Sequence, residues 1–116
     1  MAVDKTLPEL FGDGAAQTAI DFTIIKDSLV STRTPAAFPA LVASSDNTAE
    51  SLFTMLLMKV WETQDTSEDA QVKVYGPQVD LVEVVSDGVI TPHQQFLFTI
   101  RILNKMSVAM PNPNLI

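Results

Sequence analysis

Hydrophobic and polar positions alternate most cleanly near the end of the chain. From Gln94 to Leu103, Phe96, Phe98, Ile100 and Ile102 face one way, with Leu97, Thr99 and Arg101 opposite. A period of two is the signature of a β-strand. A second alternating stretch runs over 78–86, and Asp87-Gly88 separates the two. That dipeptide is a strong short-range hairpin signal, so 78–86 and 94–103 are expected to pair antiparallel. Pro92 is expected to interrupt a return strand that begins near Val89. Gln71 to Tyr75 reads as a further short strand, turned by Gly76-Pro77.

Ala19 to Leu29 also reads as a strand, because Ile20, Phe22 and Ile24 alternate with Asp21, Thr23 and Ile25. The pattern changes over 48–64. There Ala49, Leu52, Phe53, Leu56, Leu57, Val60 and Trp61 recur at i, i+3 and i+4, which predicts a helix with a broad apolar face. Asn47 is a suitable N-cap, with Glu50 in capping-box spacing. A long strand competes for this segment, since the run is nearly all apolar. A short helix is expected in the first fourteen residues, capped by Thr6, with Pro8 in its first turn and Glu9 three residues after the cap.

These elements give an α+β fold: a small antiparallel sheet of about four to five strands including the hairpin at 87–88, one main helix near 48–64, and a short N-terminal helix. The 116 residues are expected to make a single domain, 1–116. It carries a long Ser/Thr/Pro/Ala loop at 30–46 and an extended C-terminal tail at 106–116. Pro111 and Pro113 favour extended backbone in that tail.

Composition narrows the chemistry. There is no Cys, one His and four Gly. His93 alone can serve as an imidazole base, and it follows Pro92 in a polar stretch of the hairpin, so it reads as a turn residue. No pair of Cys and His can build a zinc site. An EF-hand starting at Asp65 fails, because Ala70 stands where glycine is needed and Gly76 where glutamate is needed. Gly12-Asp13-Gly14 lacks the third glycine of a dinucleotide fingerprint and no strand precedes it. Asp80 and Glu83 are offset by three and fall on opposite strand faces. No catalytic residue, metal ligand or cofactor is therefore assigned.

Seven Lys and Arg against fourteen Asp and Glu give a net charge of −7. With scattered cations, this repels phosphate backbones and anionic lipid, so no nucleic-acid or membrane partner is expected. No segment reads as a signal peptide or a membrane span, which suggests a cytoplasmic location or an assembled particle.

Three apolar features exceed what one small core consumes: Phe38 with Leu41 in the long loop, Met55 and Met58 on the helix, and Leu115-Ile116 at the end. These six residues are candidate interface positions. The resulting expectation is a non-enzymatic structural or assembly subunit that self-associates through sheet, loop and tail, or joins other assembly subunits. Small, Cys-free, Ala/Thr/Val-rich chains with extended arms recur among virion and other assembly subunits, an analogy of composition alone. The alternative is a small ligand-binding module or small enzyme with a pocket between helix and sheet near Trp61, Tyr75 and His93.

Overall fold

The computed structural model describes residues 4–103 and 110–116, without the Leu115 side chain. The fold is α+β and divides into two compact units, residues 1–71 and 72–116.

The first unit begins with helix α1, Leu7–Phe11. Thr6 caps it through a complete capping box: its hydroxyl accepts from Glu9 N, while the Glu9 carboxylate accepts from Thr6 N. Gly12 ends the helix at φ 96°, and a Cβ there would meet the Ser28 carbonyl oxygen at 2.5 Å. Two short strands follow, β1 (Ala16–Gln17) and β2 (Phe22–Thr23), paired antiparallel as Ala16 to Thr23 and Gln17 to Phe22.

The strand expected over 19–29 is thus cut to two residues. Thr18 is the physical reason. Its hydroxyl accepts from the N–H groups of both Ile20 and Asp21, which turns the chain and removes those donors from a ladder. A one-turn 3-10 helix at Lys26–Ser28 closes the other end.

Helix α2, Ala49–Thr63, settles the 48–64 segment as helix. Its N-cap is Thr48, not Asn47: the Thr48 hydroxyl accepts from Ser51 N. Asn47 is occupied elsewhere. Its side-chain oxygen accepts from Ser44 N and from Lys26 Nζ, and its amide nitrogen donates to the Val42 carbonyl. That cluster holds the end of the long loop against the start of the helix.

The core of this unit is Leu29, Phe38 and Met55, with Ile24, Leu41, Leu56, Met58 and Trp61 packed against it. The 30–46 loop therefore supplies a core ring, which explains how a connection this long stays ordered.

The second unit is one hairpin. Strands β3 (Val72–Ser86) and β4 (Val89–Ile102) pair antiparallel from Val72/Ile102 to Ser86/Val89. The turn is the expected one, with Asp87 at φ 52° and Gly88 at φ 75°. Two expected breaks are absent. Gly76-Pro77 does not separate two strands; it forms a bulge inside β3, where the register shifts between Tyr75 and Gln78. Pro92 does not interrupt β4 and sits opposite Glu83.

The described strands thus number four, in two two-stranded sheets, rather than one sheet of four to five. Residues 106–109 of the expected tail lie outside the described residues. Beyond them, Pro113–Leu115 forms a 3-10 turn capped by Asn112.

Candidate interaction surface

The register of the hairpin fixes which side chains share a face, because directly opposed residues point the same way. Along β4, Ile90, Pro92, Gln94, Phe96, Phe98, Ile100 and Ile102 fall on one face. Their partners on β3 are Val85, Glu83, Leu81 and Val79 above the bulge, and Val74 and Val72 below it. Only Glu83 and Gln94 on this face carry a polar side chain. The other face is mixed and holds Lys73, Tyr75, Gln78, Asp80, His93, Gln95 and Arg101 among its members.

The bulge produces this segregation. On β3 the apolar face takes even-numbered residues below it, Val72 and Val74, and odd-numbered residues above it, Val79, Leu81 and Val85. One extra residue at the bulge shifts the side-chain parity and keeps both sets on one side. Gly76 makes the bulge possible. It sits at φ 113°, and a Cβ there would lie 2.8 Å from the Leu97 carbonyl oxygen.

Most of the apolar face is open. Leu81 is 81% exposed, Val85 66%, Ile90 60% and Phe96 54%. Val74 is buried, and Phe98 is half-buried rather than enclosed. At about 3.3 Å per residue the ribbon is about 45 Å long. A two-stranded ribbon in water is at best marginally stable, and an apolar face of this length calls for a cover. At its base, the cations of Lys73 and Arg101 lie over the Tyr75 ring at 5.6 and 5.9 Å.

The candidate interface residues divide. Phe38 and Met55 are buried in the core of their own unit, and Leu41 and Met58 pack against that core. Their apolar surface is largely used within one chain. Ile116 is partly exposed, and the Leu115 side chain lies outside the described residues.

The candidate pocket residues are not drawn together within the hairpin: Tyr75 opposes Thr99 and His93 opposes Val82. Those positions are six residues apart on β4, about 20 Å. His93 is exposed, with Nδ1 3.0 Å from the Thr91 carbonyl. Trp61 belongs to the first unit, where the Arg33 guanidinium lies 5.3 Å from its ring centre.

Two clefts of the first unit differ in character. One, of about 260 Å³, is apolar and lined by Ile24, Leu29, Leu52, Phe53 and Leu56, with the Lys26 stem at its edge. The other, of about 350 Å³, is polar and includes Glu9, Asp13, Asp27, Thr32 and Lys59. Lys59 is 3% exposed, and its ammonium donates to the Val30 carbonyl at 2.8 Å. Beside it, the Glu62 carboxylate accepts from Thr32 N and Thr32 Oγ1. Desolvation pushes the Glu62 carboxyl up, but the Ser31 hydroxyl, the two Thr32 donors and the Lys59 charge together hold it below the usual range.

Among the described residues, no group of three or more Asp, Glu and His is placed to hold a metal ion, and no helix is long and apolar enough to cross a membrane. No family model, curated protein or solved structure matches this chain.

Proposed function

We propose that this chain is a non-enzymatic structural or assembly subunit that self-associates, chiefly through its hairpin. The observation that supports this reading is the exposed apolar face running along β3 and β4, continuous across the bulge. A polar residue on that face would cost nothing in a monomer, yet only Glu83 and Gln94 carry one. The C-terminal tail is a secondary contributor. Cofactors play no part in this reading, and its partner is a second copy or another assembly subunit.

Light scattering coupled to size exclusion tests it. At tens of micromolar the full chain is expected to run as a multiple of 12.6 kDa. Val79→Ser with Val85→Ser is expected to shift it to the monomer. A monomeric full chain overturns the proposal.

A second reading draws on the apolar cleft beside Phe53, a side chain left 62% exposed at its rim. A small apolar ligand seated there favours the native state by mass action. A ligand-dependent rise in melting temperature, lost in Leu52→Trp, is the outcome that would favour it.

A further inference from the structure

The two long edges of the hairpin are not equivalent. A two-residue turn closes on a hydrogen-bonded pair, here Ser86 and Val89, and such pairs alternate with pairs that exchange no bonds. The intervening residues direct N–H and C=O away from the hairpin. On β3 above the bulge these are Val79, Leu81, Glu83 and Val85. On β4 they are Ile90, Pro92, Gln94 and Phe96. Pro92 has no N–H, and this outward position is where a strand tolerates it. The β4 edge is therefore broken in its middle, whereas the β3 edge offers an unbroken row of donors and acceptors. Among the described residues no strand pairs with that row.

We propose that the β3 edge pairs with the β3 edge of a second copy, antiparallel and two-fold symmetric about Val82. The inference rests on the reading that the chain self-associates and names the contact. The register follows from two independent requirements. Only pairing of 79 with 85 and of 81 with 83 engages all four outward residues of both copies. The same register sets Glu83 opposite Leu81 of the other copy; shifting the axis to residue 83 would set Glu83 against itself, which like charge disfavours. The result is a four-stranded sheet, β4-β3-β3-β4, with both apolar faces on one side. Pro92 then lies on both outer edges, where it opposes further addition of strands.

The chain contains no Cys, so a single introduced thiol reports the axis. Val82 would face its own copy across a pair without hydrogen bonds, with Cα atoms about 4.5 Å apart, within disulfide reach. Val84 would face Asp80, with its own copy about 13 Å away. Under mild oxidation, Val82→Cys is expected to form a reducible covalent dimer at least about tenfold faster than Val84→Cys.

A second pair of variants tests the edge. Leu81→Pro removes an outward N–H from β3 and is expected to weaken association at least about tenfold, whereas Leu81→Ala and Gln94→Pro, the latter on the β4 edge, change it much less. Equal cross-linking at 82 and 84, or equal weakening by Leu81→Pro and Gln94→Pro, overturns the proposed edge while an oligomeric wild type leaves self-association standing. A monomeric wild type with no cross-link overturns both.

Discussion

Lys59 shows how a charged residue enters an otherwise apolar helix face. Its stem lies in the interior, and its ammonium answers a loop carbonyl, that of Val30, which would otherwise be left without a partner. Lys59→Met keeps the stem and removes the donor. It is expected to cost about 1–3 kcal/mol by denaturant titration.

Glu62, one turn on, anchors the same loop through Thr32. Because its folded-state carboxyl is held below the ordinary value, the stability it contributes is present above the unfolded carboxylate range. That stability is lost as pH falls through the folded value. Glu62→Gln is expected to flatten the acid side of the stability–pH curve below about pH 4.5. His93 is exposed on the hairpin, and His93→Ala is expected to change stability by less than about 0.5 kcal/mol. None of the loop-anchoring contacts was legible in the sequence. Lys59, Glu62 and Asn47 find partners 29, 30 and 21 residues away, at Val30, Thr32 and Lys26. Nothing in local spacing marks such pairs.

Elements were legible where local chemistry and periodicity agreed. Thr6 with Glu9 gave the first helix, and Asp87-Gly88 between two alternating runs gave the hairpin. They were misread where one hydroxyl competes with a ladder, as at Thr18, or where two adjacent residues both suit a cap, as at Asn47 and Thr48. Thr48→Ala is expected to cost about 1 kcal/mol, and Asn47→Ala acts on the loop rather than on the helix end. Gly76-Pro77 reads as a turn in sequence because a bulge and a turn use the same residues. The distinguishing signal is the change of apolar parity between Val74 and Val79, and it emerges only when both sides are aligned to β4. Gly76→Ala puts a Cβ against the Leu97 carbonyl and is expected to lower the melting temperature by several degrees, in line with about 1–3 kcal/mol of strain.

At the scale of the whole molecule, the apolar excess of the sequence goes to two places. The first unit encloses Leu29, Phe38 and Met55, and the hairpin leaves its own apolar side open. Sequence periodicity marks both sets as hydrophobic but does not say which will find a cover within the chain, which is why Phe38 and Met55 read as candidate interface positions. Cross-strand packing on an open ribbon also stabilises less than core packing. Phe98→Ala is accordingly expected to cost well under the about 3–5 kcal/mol of an enclosed ring while the chain is monomeric, and more once the face is covered.

The bulge, finally, makes the hairpin a counting device. Removing one residue of β3 away from the bulge, Asp80 for instance, would leave the composition nearly unchanged. Yet it would send Leu81 and Val85 to the opposite side from Val72, Val74 and Val79, whereas losing the extra residue at Gly76-Pro77 itself would restore a regular ladder with all five on one side. Evolutionary drift in the length of this strand is thus constrained in a way that drift in its residues is not. A Val-for-Ile exchange on the open side is nearly silent, whereas a one-codon deletion away from the bulge redraws the molecule's surface.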